Sequence, residues 1–172
     1  SNTVEAADIL AELMRNGVRT ICFTKSRRSA ELVYQHTADR LSEAHSDLAK
    51  RLSPYRAGYT PEQRRGIEAR LFNGDLLAVV STNALELGVD IGRLDVAVLA
   101  GYPGSIAATW QQMGRAGRRG DVSVAIVVAS PAPVDQYVIH HPEFVLGGRP
   151  EEARLDPDNL HVLLAHLRAA TF

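Results

Sequence analysis

Four short apolar runs, residues 18–24, 76–81, 96–100 and 122–129, recur between segments whose apolar residues repeat at helical spacing. Each run is too short for a helix and reads as a strand, and the first, with Val18, Ile21, Cys22 and Phe23, reads as a buried one. Around them, Val4, Ala7, Ile9, Leu10, Leu13 and Met14 mark a helix over 4–16, which Asn16-Gly17 ends. Ala30, Val33, Thr37, Leu41 and Ala44 mark a second over about 27–46. A polar link through Pro54 leads to Tyr55-Arg-Ala-Gly58, read as a short strand ending in a glycine turn. Thr60, Pro61 and Gln63 then form a capping box with proline at the first helical position. That helix puts Ile67, Leu71 and Phe72 on the core side and stops at Asn73-Gly74. A loop with a short helical turn covers 82–92, and another helix spans about 106–114. Strands and helices alternating at this pitch predict an α/β domain with a mostly parallel sheet, covered on both faces by right-handed crossovers.

The 172 residues suffice for one domain with an appendage. After Ser130 the character changes: Pro131, Pro133, Pro142, Pro150 and Pro157 interrupt the chain before an amphipathic stretch from Leu160 to Ala170. We therefore divide the chain into a domain over 1–130 and an extension over 131–172. A net charge of −1 means that any nucleic-acid function rests on local arginine clusters, not on bulk charge. The single cysteine, Cys22, excludes a disulfide framework and points to a reducing compartment, the cytoplasm. No apolar run approaches a membrane span, and no signal peptide is visible. The six histidines show no metal-ligand spacing with Cys22 or the acids, so no metal site is expected. The chain opens at Ser1 without a methionine and reads as a piece of something larger.

In an open parallel sheet, ligands bind beyond the carboxyl ends of the strands. Those ends fall at Thr24-Lys25-Ser26, Ser81-Thr82-Asn83, Gly101-Tyr102 and Ser130. Thr82 and Asn83 open a helical turn there, suited either to a phosphate or to plain N-capping. Arg64-Arg65, on the capped helix, either add phosphate contacts or are simply solvated. Within Glu86-Leu-Gly88-Val-Asp90-Ile-Gly92, the glycines hold Asp90 where it either meets a ribose hydroxyl or closes an Asx turn. Trp110-Gln-Gln-Met-Gly-Arg-Ala-Gly-Arg-Arg-Gly120 carries Arg115 and Arg118 three residues apart, on nearly one face if the segment is helical. Such guanidiniums suit a phosphate; the alternative is a glycine-rich turn with solvated arginines. No G-x-x-x-x-G-K-[ST] phosphate loop and no acidic strand end for magnesium are present, so the arginines stand without the site they would complete.

The order of these motifs resembles the second RecA-like domain of superfamily 2 (DEAD/DEAH-type) helicases. Thr20-Ile-Cys-Phe-Thr-Lys-Ser26 looks like motif IV, and residues 55–65 are similar to the glycine turn and arginine helix that follow it. Residues 81–90 look like motif V, and Gln111 to Arg118 like motif VI. Leu99-Ala-Gly-Tyr-Pro-Gly104, Trp110-Gln-Gln, Asp135-Gln-Tyr and His141-Pro-Glu143 narrow the likeness to the mitomycin-repair-type DNA helicases, whose cysteine-rich zinc region is not in this piece. Gln111-Gln112 stands where many RNA-directed members have His-Arg, so DNA is favoured over RNA.

The resemblance implies a RecA-like three-layer sandwich with a short helical appendage. It further implies that Arg115 and Arg118 reach ATP, with Mg2+, held mainly by an absent first RecA-like domain of the same protein. Gly88 and Asp90 would meet the nucleotide, and Gln111 would couple it to the domain interface. Ser26, Gly58, Arg65, Thr82 and Asn83 would hold nucleic-acid phosphates. The function implied is the C-terminal motor half of a DNA-repair helicase, inactive as an ATPase by itself. An RNA helicase half and a non-catalytic nucleic-acid-binding module are the alternatives.

Overall fold

The computed structural model describes residues 1–42, 46–87, 90–117, 122–151 and 159–171. Five strands form its sheet: β1 (Thr20–Thr24), β2 (Leu52–Tyr55), β3 (Ala78–Ser81), β4 (Val96–Ala100) and β5 (Val124–Val127). Their order is β2-β3-β1-β4-β5, with every pairing parallel. From β1 the chain steps out to the edge strand β2, returns to β3 beside β1, and then crosses β1 to reach β4 and β5. The connections leaving β1 and β4 thus run in opposite directions, and a crevice opens beyond the carboxyl ends of these neighbouring strands.

Period-two alternation divides the core. Cys22, Ala78, Val80, Val96 and Val98 face the helices α1 (Asn2–Arg15) and α2 (Arg27–Ser42), which contribute Leu10, Met14, Val33 and Leu41. Ile21, Phe23, Val79, Ala97 and Leu99 face the other way, with Leu71 of α4 (Pro61–Phe72), Leu85 and Ala116. Burial pushes the Cys22 thiol up to about 12, so it behaves as a small hydrophobe.

The capping box forms as predicted: Gln63 N–H donates to Thr60 Oγ1 at 3.3 Å, and Thr60 N–H to Gln63 Oε1 at 2.9 Å. Phe72, however, is 51% exposed. Leu71 takes the core position, and the next residue lies about 100° further round the helix. A short helix α3 (Ser46–Ala49) stands within the expected polar link. Strand β2 begins at Leu52 and contains Pro54, which an edge strand tolerates because it need not donate to a neighbour. The proline-broken region holds α6 (Pro133–His140) and α7 (Glu143–Leu146), followed by α8 (Leu160–Ala170) as predicted. Val138 and Val145 form a small apolar cluster with Tyr102, and Tyr137 and Phe144 meet edge to face at 5.7 Å. No helix among the described residues is long and apolar enough to cross a membrane.

Candidate functional site

A cleft of about 350 Å³ lies beyond the carboxyl ends of β1, β3 and β4. Thr24 and Lys25 form one wall, Thr82, Asn83 and Glu86 a second, and Gly101, Pro103 and Gln112 a third. Thr82 occupies the N-cap position of the 3-10 turn Asn83–Leu85, but its side chain makes no capping hydrogen bond. The stability role that the sequence left open for Thr82 is therefore not filled. Asn83 is exposed beside it. Ser26 follows Lys25 at the rim, where its hydroxyl accepts from Ser29 N–H at 3.1 Å and stabilises the start of α2.

Motif VI approaches the same cleft on α5 (Ile106–Met113), which Ser105 caps by accepting from Ala108 N–H at 3.0 Å. Glu151, from the extension, adds its carboxylate to that helix end by accepting from Ile106 N–H at 2.7 Å and Ala107 N–H at 3.0 Å. These two bonds hold the Glu151 carboxyl below its ordinary value. The helix stops at Met113, so Arg115 lies on the turn beyond it and not on the helix itself. The small residues nearby serve the chain's own packing. Ala116 is buried in the core, and a Cβ on Gly117 would stand 2.6 Å from the Ser123 Cβ.

Arg115 is half-buried and donates from Nε to the Glu86 carbonyl at 2.8 Å. Gln112 Nε2 donates to Glu86 Oε2 at 3.0 Å. Glu86 thus ties the turn bearing Thr82 to the segment bearing Arg115 twice, through its backbone carbonyl to Arg115 and through its side chain to Gln112. Neither Glu86 nor Gln112 was singled out from the sequence as a site residue. The signal for Glu86 was a carboxylate four residues after Thr82, set between Leu85 and Leu87. Gln111, the residue that was singled out, is exposed and does not line the cleft.

Asp90 closes the Asx turn left open as its alternative, with Gly92 N–H donating to Asp90 Oδ1 at 3.0 Å, and stays exposed. Gly58 and Arg65 are exposed and line no part of the cleft. Gly88 and Arg118 lie outside the described residues. Among the described residues no three His, Cys, Asp or Glu side chains converge as metal ligands.

Residues 5–120 match the family model described as "Helicase conserved C-terminal domain". The chain is 47% identical over 172 residues to the uncharacterized ATP-dependent helicase YprA of Bacillus subtilis, covering 100% of this chain and 23% of that protein. It is 44% identical over 173 residues to the ATP-dependent helicase HRQ1 of Saccharomyces cerevisiae, covering 98% of this chain and 16% of that protein. The crystal structure of the DUF1998 helicase MrfA bound to DNA and AMPPNP superposes with a TM-score of 0.90 at 48% identity, over 99% of this chain and 24% of that one. The chain therefore has the RecA-like fold and spans about a quarter or less of the length of these three relatives.

Proposed function

Because the chain belongs to the helicase conserved C-terminal domain family, we propose that it is the C-terminal motor half of an ATP-dependent DNA helicase of the MrfA and Hrq1 type. In this reading it grips one DNA strand by its phosphates and presents Arg115 and Arg118 to ATP on the first RecA-like domain. The observation that carries the reading is the cleft at the strand ends. There a threonine with no capping duty stands beside an exposed asparagine, and Glu86 links their turn to Arg115.

Thr82 and Asn83 supply neutral donors to backbone oxygens, with Ser26 at the rim and Gly58 and Arg65 further along the strand. Such contacts carry no sequence information and make affinity depend on salt. Arg115 suits the nucleotide because its Nε is already anchored, which leaves less side-chain entropy to lose. Asp90 spends one oxygen on its turn and is exposed, so its other oxygen would serve the nucleotide's sugar; Gly88 would meet the same nucleotide, and Gln111 would act at the domain interface. ATP with Mg2+ would supply the phosphoryl group and the neutralising cation, held mainly by the first domain. Arginines placed on such a group are worth on the order of 10³–10⁵ in rate. DNA repair in a cytoplasmic setting fits the same reading.

ATP hydrolysis by the full-length protein, measured with single-stranded DNA and with RNA of equal length, tests it. We expect DNA to stimulate more strongly, and Thr82→Val to raise the DNA concentration needed for half-maximal stimulation. Equal stimulation by RNA would favour an RNA helicase half. No stimulation by either polymer would favour a non-catalytic module.

A further inference from the structure

Asp135 lies in the first turn of α6, beyond the matched span of 5–120, and is only 1% exposed. Its carboxylate joins three strand ends. Oδ1 accepts from Lys25 Nζ at 2.9 Å and from Tyr102 N–H at 3.3 Å, and Oδ2 accepts from Ser130 N–H at 2.8 Å. Burial opposes its ionisation, but the bonds from Lys25 and Ser130 outweigh burial and hold the carboxyl below its ordinary value. The carboxylate is thus an anion built into the fold.

Lys25 is its counterpart. The lysine side chain is 48% exposed and lines the cleft together with Thr82 and Asn83. Among the described residues Asp135 is its one hydrogen-bond acceptor. An ammonium has three donors, so two remain for a ligand in the cleft. The stem is confined as well. Gly101 has φ +101°, and a Cβ there would stand 2.9 Å from Lys25 Cε and 3.1 Å from Asp135 Oδ2. Glycine at the end of β4 therefore leaves a slot through which the lysine passes. A free lysine loses much rotamer entropy when a ligand immobilises it; here carboxylate and slot have already restricted it.

We propose that Lys25 is a backbone-phosphate contact of the cleft and that Asp135 is the positioning residue that presents it. The segment after residue 130 is then part of the grip. This rests on the nucleic-acid reading of the cleft given above.

The test uses the full-length protein and a fluorescent single-stranded oligothymidylate, with dissociation constants taken from anisotropy across a salt series. Lys25→Met weakens binding roughly 5- to 10-fold at low salt. It also flattens the log–log salt dependence by about 0.7, the worth of one phosphate on a single strand. Asp135→Asn produces the same direction of change. The double variant binds no more weakly than Lys25→Met, because a positioning residue has nothing left to position.

Unchanged affinity and slope in Lys25→Met overturn the proposal. So does a further loss when Asp135→Asn is added to Lys25→Met, which marks Asp135 as merely structural. If Asp135→Asn does not fold, Asp135→Glu takes its place: it weakens binding in the wild-type background and leaves the Lys25→Met background unchanged. Thr82→Val separates the two levels of the argument. If it weakens binding while Lys25→Met does not, only this proposal fails. If neither variant weakens binding, the cleft is not the nucleic-acid site.

Discussion

Gly117→Ala is the perturbation whose cost follows most directly from geometry. Gly117 has φ +84°, and its amide donates to the Leu94 carbonyl at 2.8 Å, fixing the turn that follows Arg115. An L-residue in that left-handed region costs roughly 1–2 kcal/mol. The new methyl would also stand 2.6 Å from the Ser123 Cβ and 2.8 Å from its Oγ. Real side chains do not pack so closely, and relieving such overpacking costs typically about 1–3 kcal/mol. Together the two effects predict a loss of about 2–5 kcal/mol, against a total stability of about 5–15 kcal/mol for an ordinary domain. Urea unfolding of the chain should show the midpoint falling with little change in slope. Adding Ser123→Gly removes the steric part but not the backbone part, so the double variant should recover about half the loss. A double variant as unstable as Gly117→Ala would refute the contact argument. A single variant within about 0.5 kcal/mol of wild type, the range of ordinary surface changes, would refute both parts.

Three further outcomes follow from the same structure. Asp135 has a folded-state pKa below its unfolded value, so its stabilisation is complete above about pH 4 and is lost as pH falls through the folded value; the denaturant midpoints of wild type and Asp135→Asn should differ constantly from neutral pH to that point and converge below it. Cys22, with its thiol at about 12, should react with a thiol reagent at neutral pH only as fast as the chain unfolds, and rapid labelling of folded protein would contradict its burial. Tyr55 is buried and donates to Glu68 Oε1 at 2.5 Å, which together push its phenol up to about 12; a spectroscopic alkaline titration should find one tyrosine ionising only there, and Glu68→Gln should bring it down.

Much of the fold was legible because local signals agreed. The capping box at Thr60, the continuous apolar strands and the Asn-Gly stops each specify one local answer. Strand β2 was displaced because Pro54 argues against a strand until its place at the sheet edge is known. The helices α6 and α7 were hidden by prolines that read as breakers; Pro133 in fact starts a helix, with Asp135 in its first turn. At the candidate cleft, the strand-end position of Thr82 and Asn83 was legible because it follows from the alternation alone. Glu86, Gln112 and the pairing of Lys25 with Asp135 depend on contacts between residues 26 to 110 apart in the chain, which no local pattern encodes.

The central claim is that an arginine of this chain stabilises the transferring phosphoryl group across a domain cleft. Single-turnover ATP cleavage by the full-length Arg118→Ala variant, with saturating ATP and single-stranded DNA, tests it most directly when DNA affinity is measured on the same preparation. The account predicts a rate lower by on the order of 10³-fold or more, with DNA binding within about twofold of wild type. Cleavage at a near-normal rate, or a fall in rate matched by an equal loss of DNA binding, would contradict it.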